Sequence, residues 1–417
     1  MISEALRSEM SDRAAFDILA TVLARAVQLG TLTVTDPWGE RHVFGSGDAP
    51  LVSVRMSDVQ TPTRSVADPM LGVGEAYMDG TLTIEEGTLR DFLMIGVSVS
   101  RDIAEQAQAY QGVVTALHKP QRHNPIARSR ENVAHHYDLS EDLYRLFLDA
   151  DMQYSCAYFQ NGDETLEQAQ AKKKRHIAAK LNLKPGARVL DIGSGWGGLA
   201  LDLARLHNVQ VDGLTLSTEQ IRVARARAVA GEIDSNVHFH LRDYREETGS
   251  YDRIVSVGMF EHVGAPHFAE FFEVVGRLLA PDGLAVIHAI GRRDPPSEND
   301  SWIDKYIFPG AYCPSLSEVF AAVEPSGLWV TDVEILTLHY AETLRCWSER
   351  FQAQRARAAE LYDERFCRMW EFYLASCEAG FRAGTLMVFQ IQLTRTVGTV
   401  PKTRDYMIDE ERRLATV

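Results

Sequence analysis

VLDIGSGWGGLA, residues 189–200, decides the fold of this 417-residue chain. A short apolar run ends in Asp191, and Gly193, Gly195 and Gly197 follow before the helical pattern GLALDLARLH takes over. Glycines at such a strand-to-helix turn permit positive φ and let a ligand approach the backbone. Working outward, NVQVDGLTLS, VHFHLRD, YDRIVSVGM and GLAVIHAIG read as strands, with TEQIRVARARAVA and HFAEFFEVVGRLLA as helices among them. Strands alternating with helices predict a mostly parallel sheet covered on both faces, an α/β Rossmann-like domain. In open parallel sheets the ligand lies beyond the carboxyl ends of the strands, where the glycine run falls. Past residue 300 come the aromatic-rich SWIDKYIFPG, a charged helical stretch over about 341–380, and a closing strand in LMVFQIQLTR (386–395).

Taken alone, the glycine run fits a dinucleotide or S-adenosylmethionine. A dinucleotide site expects GxGxxG and an acid about 20 residues further on to hold the ribose. Here the loop is GxGxG with Trp196 inside it, and the later position reads Leu214-Thr215-Leu216-Ser217. At the end of the third strand, Asp243 offers a carboxylate that can accept from an adenine amino group, and Tyr244 a ring that can stack on the base. Asp243 reads equally as a helix cap or a solvated loop acid.

Upstream, Phe16, Leu19, Ala20, Leu23, Ala24 and Val27 form one helical stripe that Gly30 ends. TLTVTDPWGERHVF is a hairpin about Asp36-Pro37-Trp38-Gly39, LVSVRM (51–56) a strand, and 88–95 a helix. This predicts a small α+β N-terminal domain over 1–112, a basic linker over 113–131, and a catalytic domain over 132–417. Composition agrees with a globular chain: 45% hydrophobic and 24% charged exclude a disordered one. A net charge of −15 argues against a nucleic-acid binder. No apolar run reaches the roughly 18 residues that span a bilayer, and MISEALRSEMSDRAAF is acidic where a signal peptide is basic. The expectation is a cytoplasmic protein that at most touches the inner face of a membrane. Five cysteines without a CxxC pair point to neither a disulfide framework nor a zinc site, and no metal is expected. Two compact basic segments stand out: Lys119, Arg122, Arg128 and Arg130 in the linker, and Lys172–Arg175. Near an anionic bilayer each cation contributes ~1 kcal/mol; the plain alternatives are a solvated linker and a solvated helix face.

With the glycine run, the blocks HYDLSEDLYRLFLD (136–149), MQYSCAYF (152–159), GLTLSTEQ (213–220), LRDYREE (241–247), DRIVSVGMFEHVG (252–264), VIHAIG (286–291), WIDKYIFPG (302–310) and FRAGTLMVFQIQLTR (381–395) follow one another in order. In this the chain resembles the cyclopropane-fatty-acid synthase family, including the mycolic acid methyltransferases. GVGEAYMDG (72–80) resembles the N-terminal domain of the bacterial phospholipid-modifying members. Ser194 stands where many members have Cys.

The resemblance implies a class I methyltransferase fold and transfer of the methyl of S-adenosylmethionine to the cis double bond of an unsaturated acyl chain in a membrane phospholipid. It implies that Tyr154 and Ser155 contact the cofactor's methionine end, that Gly193 and Gly195 form its floor with Asp191 and Gly197 also cofactor-binding, that Thr215 and Gln220 replace the missing ribose acid, and that Asp243 and Tyr244 hold the adenine. Methyl addition to an alkene leaves a carbocation. Aromatic faces stabilise such a cation, and Tyr137, Tyr154, Tyr158, Phe159, Phe260, Trp302, Tyr306 and Phe308 are candidates, several of them expected to be ordinary core. For ring closure the resemblance implies a bound bicarbonate as base, held near Cys156 and by Glu261, His288, the Ile290 N–H and Tyr340. By itself, Cys156 would read as a small buried apolar residue and His288 as a core histidine. The implied partners are unsaturated phospholipid, met by peripheral membrane contact, and a second copy in a homodimer. Methylation without ring closure, giving a methyl-branched or methylene chain, and methylation of a small soluble molecule are the alternatives.

Overall fold

The computed structural model describes residues 11–110, 139–297 and 300–415. The basic linker at 113–131 and Tyr137 lie outside the described residues. What is described divides into two compact units.

The first unit begins with helix α1 (Asp12–Ala26), capped by the Ser11 side chain, which accepts from the Ala14 N–H. The predicted hairpin is present as β1 (Thr31–Thr35) antiparallel to β2 (Arg41–Gly45). Its turn is closed by Asp36, whose Oδ1 accepts from the Trp38 and Glu40 N–H groups at 3.0 and 2.9 Å. Strand β3 (Leu51–Met56) is followed by α2 (Thr61–Ala67), α3 (Pro69–Met78), β4 (Leu82–Glu86) and α4 (Leu89–Tyr110). The sheet order is β2-β1-β3-β4. Leu32, Val34, Val52 and Val54 on its inner face pack with Phe16 and Ile95 in one core cluster. This is the expected α+β arrangement.

The second unit opens with α5 (Glu141–Phe147), α6 (Leu166–Leu181) and the strand β5 (Arg188–Ile192). Then come α7 (Gly198–His207), β6 (Gln210–Thr215), α8 (Thr218–Ala230), β7 (Val237–Leu241), β8 (Tyr251–Val257), α9 (Phe268–Leu278) and β9 (Leu279–Arg292). After α10 (Ser301–Tyr306) follow α11 (Leu316–Val323), β10 (Trp329–Ile335), α12 (Thr337–Ala353), α13 (Arg355–Leu361), α14 (Glu364–Arg382), β11 (Leu386–Thr394) and α15 (Asp405–Leu414). The seven-stranded sheet runs β10-β11-β9-β8-β5-β6-β7. Strands β5 to β9 are mutually parallel, and β11 is antiparallel to both β9 and β10. Alternate residues feed two cores: Val189, Val211, Val255 and Val286 on one face, Leu190, Ile254 and Ile287 on the other. The chain leaves β5 toward β6 and β7, then returns to β8 on its other side. The crevice at that reversal, beyond the carboxyl ends of β5 and β8, is the ligand position of such sheets. Strand β10 was not expected; three of its residues are exposed at its start, so it carries little apolar alternation.

The two units are not consecutive in sequence. Residues 300–307 and 347–383 group with the first, although the sequence reading assigned 132–417 to one catalytic segment. The physical reason is apolar surface. Trp302 is fully buried, lies against Phe372 with ring centroids 4.7 Å apart, and covers Gly74 so closely that a Cβ there would sit 2.4 Å from its Cδ1. The Tyr77 hydroxyl donates to Glu371 at 3.2 Å and the Tyr306 hydroxyl to Glu75 at 2.8 Å. Trp302 and Tyr306, candidates for the carbocation pocket, are core and ion-pair partners of the first unit.

Candidate active site

Beyond β5, Gly193, Gly195 and Gly197 have φ of +87°, +55° and +83°. The Gly193 and Ser194 N–H groups both donate to the Leu214 carbonyl, at 2.9 and 2.8 Å, tying the loop to β6. A Cβ on Gly193 would lie 2.8 Å from the Met259 Cβ, so glycine keeps the floor open. Gly197 has a different role from the one expected. It caps α7, and a Cβ there would meet the Phe239 ring at 2.6 Å; Gly198 lines the cavity in its place.

The cavity is lined by Tyr154, Ser155, Asp191, Gly193, Gly195, Thr215, Gln220, Asp243 and Tyr244, all expected, and also by Lys173, Met259 and His262. Asp191 is 2% exposed, its Oδ2 has no hydrogen-bond partner among the described residues, and burial pushes its carboxyl up to about 7. A buried carboxylate without a partner is costly, and a cationic ligand group satisfies it. The Thr215 hydroxyl donates to Gln220 Oε1 at 2.8 Å, which commits the amide oxygen and leaves the NH2 as a donor in a side chain that lines the cavity. Asp243 is a cap and is buried, not a solvated loop acid. It accepts from the Arg245 N–H at 3.0 Å as a cap and from the Arg245 guanidinium at 2.8 and 2.7 Å, and it lines the cavity.

Lys172–Arg175 requires a correction. Lys173 and Lys174 are 2% and 7% exposed. Lys174 pairs with Asp151 and Asp202 at 2.6 and 2.5 Å, and Lys172 pairs with Glu164. Lys173 and Lys174 are therefore not part of a solvated face, because α6 turns them inward, while Lys172 and Arg175 are half-buried. Sequence reasoning missed Lys173; the signal was its place on one stripe with Ala169, Ile177 and Lys180, all buried.

A second polar cluster lies behind the cavity. Glu261 sits between the lining residues Met259 and His262, buried, in a short 3-10 turn after β8. Its Oε1 accepts from the Ile290 N–H at 2.6 Å, and its Oε2 has no partner among the described residues. The Ile290 N–H, expected to face an anion, is therefore held by Glu261. Burial pushes the Glu261 carboxyl up to about 7. On the same face of β9, His288 is 2% exposed, and burial pulls its imidazole down to about 3, so the ring is neutral. Gln390 Nε2 lies 3.0 Å from its Nδ1, leaving the ring proton on Nε2. Gln390 is a second residue missed; its signal was a polar side chain inside the apolar run of β11.

The segment 154–159 is gripped by α12: the Ala157 N–H donates to Thr343 Oγ1 and the Phe159 N–H to His339 Nδ1, each at 3.0 Å. Tyr340 is on the same turn of α12 and 8% exposed. The helix begins beside Val388, which accepts from the Leu336 N–H at 2.8 Å and pairs with Ile290 across the β11–β9 ladder. Cys156 is buried, and burial pushes its thiol up, which suits a neutral contact and not a thiolate nucleophile. Among the other aromatic candidates, Phe260 packs with Phe268, Phe271 and Phe272 and Tyr158 stacks between His176 and His339. Tyr154 lines the cavity, and Phe308 lies edge-on to His262.

An unpartnered acid for an ammonium group, a glycine floor for a closely lying chain and an amide for ribose hydroxyls fit S-adenosylmethionine, and with this sheet they define a class I S-adenosylmethionine-dependent methyltransferase. Comparison with known proteins narrows the class. Residues 125–391 match the family model described as Mycolic acid cyclopropane synthetase, and the chain belongs to that family. It is 37% identical over 354 residues to the cyclopropane-fatty-acyl-phospholipid synthase of Escherichia coli (strain K12), covering 84% of this chain and 90% of that one. It is 36% identical over 363 residues to a probable fatty acid methyltransferase of Pseudomonas putida, covering 84% and 88%. Among solved structures, mycolic acid cyclopropane synthase CmaA1 complexed with SAH and CTAB superposes with a TM-score of 0.61 at 36% identity, covering 63% of this chain and 97% of that one.

Proposed function

We propose that the enzyme transfers the methyl of S-adenosylmethionine to the cis double bond of unsaturated acyl chains in membrane phospholipids and closes a cyclopropane ring. The observation that carries this reading is the buried Glu261 carboxyl beside the cavity-lining Met259 and His262, with one oxygen held by the Ile290 N–H and the other unpartnered among the described residues. Ring closure on an alkene releases a proton from the added methyl inside a dry pocket, and a buried group able to handle that proton suits it. S-adenosylmethionine, when bound, supplies the methyl. An alkene is a weak nucleophile, so the chain's main contribution is to hold it in line and exclude water from the resulting cation. The Tyr154 ring, which lines the cavity, is read as a stabiliser of that cation.

Closure then removes a proton from the added methyl. Bicarbonate, when bound, would supply the base, and the cluster suits a small anion. Glu261, raised to about 7, can donate from its protonated oxygen; neutral His288 donates from Nε2; the Tyr340 hydroxyl adds a third donor. No described helix is long and apolar enough to cross a membrane; contact with the lipid is read as peripheral. The first unit is read as the lipid-positioning part and the assembly as a homodimer.

Resemblance to a probable fatty acid methyltransferase favours one second reading, the same methyl transfer ending in a methyl-branched or methylene chain. Vesicles of unsaturated phospholipid incubated with methyl-labelled cofactor, followed by NMR of the fatty esters, separate them. Cyclopropyl signals with loss of olefinic ones are expected. Label in chains that keep olefinic signals overturns ring closure, and no label in lipid overturns both readings.

A further inference from the structure

We propose that Lys173 is the fixed cation of the cofactor cavity and that it reads the carboxylate of the cofactor's amino-acid end through the Ser155 hydroxyl it holds. Lys173 lines the cavity at 2% exposure. Its ammonium donates to Gln153 Oε1 at 2.6 Å and to Ser155 Oγ at 2.8 Å. Both partners are neutral. No carboxylate is within hydrogen-bond distance of this ammonium; Asp149, Asp151 and, across the cavity, Asp191 balance it only from further off. Its neighbour shows the ordinary solution, since Lys174 is paired with two aspartates. The side chain of Asp149 is turned to the N–H groups of Asp151 and Gln153, and its charge reaches Lys173 without a hydrogen bond between them.

One turn earlier on α6, Gln170 Nε2 donates to the Ser155 and Gln153 carbonyls at 3.0 and 3.3 Å. Two side chains of one helix thus fix residues 153 and 155 by both backbone and side chain. Because Ser155 Oγ accepts from the lysine, its own hydrogen is given elsewhere, and the cavity is what Ser155 lines. Asp191, with its unpartnered oxygen, lines the same cavity. A hydroxyl donor backed by a fixed cation, together with an unpartnered carboxylate, is the complement of an α-amino-acid zwitterion. Lys173 is therefore a positioning residue for recognition of that end of the cofactor. The inference rests on the cofactor assignment and is independent of the acyl acceptor.

The test compares two ligands without lipid by calorimetry: S-adenosylhomocysteine, which carries the amino-acid end, and 5′-methylthioadenosine, which lacks it. For the wild-type protein, S-adenosylhomocysteine is expected to bind more tightly. In Lys173→Met its affinity is expected to fall at least about tenfold, as for loss of a charge-assisted contact, with methylthioadenosine unchanged. Lys173→Gln, which keeps a donor but no charge, is expected to lose the same selectivity and is read alone if the methionine variant does not fold. Wild-type-like binding of S-adenosylhomocysteine by these variants, or an equal loss for both ligands, overturns the proposal. A wild-type protein that binds neither ligand overturns the cofactor assignment beneath it as well.

Discussion

The Ile290 N–H donates to one oxygen of Glu261 at 2.6 Å while the other oxygen has no partner among the described residues. One carboxyl oxygen is thus anchored to β9 and the other is left for a ligand. Glu261→Ala and His288→Ala are expected to lower turnover on unsaturated phospholipid vesicles by about 10²–10⁴-fold, the usual range for a positioned proton-transfer group. S-adenosylhomocysteine binding should stay unchanged. Near-normal rates in both variants would remove the cluster from the reaction.

Gln390 sets the tautomer of His288 from the neighbouring strand. Gln390→Leu keeps the volume of β11 roughly constant and frees Nδ1 to carry the proton. A fall in kcat of about tenfold or more is expected, with KM for the cofactor unchanged. An unchanged kcat would mean that the imidazole orientation does not matter.

Asp191 gives a pH-dependent prediction. Burial raises its carboxyl from 3.8 to about 7 in the folded protein, so between those values the folded state holds more protons than the unfolded state, and stability falls as pH rises. In cofactor-free protein, Asp191→Asn removes that cost. The variant should melt several degrees above wild type at pH 8, with the difference closing toward pH 4. Its affinity for S-adenosylhomocysteine should fall at least about tenfold, since an amide does not balance an ammonium group. Parallel melting curves at all pH values would contradict the origin of the shift.

Gly74 leaves no room for a side chain beneath Trp302. Gly74→Val should destabilise the first unit by about 1–3 kcal/mol or more through overpacking, read by denaturant unfolding with Trp fluorescence. Cofactor affinity of protein still folded should be unaffected.

The sheet and the cofactor floor were legible because both are local. The strand–glycine–helix order of 189–200 and the apolar alternation around it state the topology directly; Asp191 and Thr215 lie in the last two residues of their strands, and Gln220 and Asp243 come shortly after strand ends. What escaped depends on pairing far along the chain. Lys172–Arg175 looks like four surface cations until Asp151, Glu164 and Asp202 are brought to it. Gln390 has no meaning until β11 pairs with β9 and sets it beside His288. Trp302 and Tyr306 sit in a family block, yet their neighbours Gly74, Glu75 and Met78 lie more than two hundred residues earlier.

That distance has a consequence for synthesis on the ribosome. The N-terminal sheet can form once about a quarter of the chain has emerged, but the helix bearing Phe372 ends at Arg382. At about 5–20 residues per second, roughly 15–50 s pass between completion of α4 and arrival of α14. During that interval the apolar side of α3 lacks the cover that α14 gives it, and six of the seven strands of the second sheet, β5 to β10, are made before that helix. Nascent chains stalled at residue 346 should therefore be captured by hydrophobic-binding chaperones at the α3 surface, and chains released past residue 383 should not.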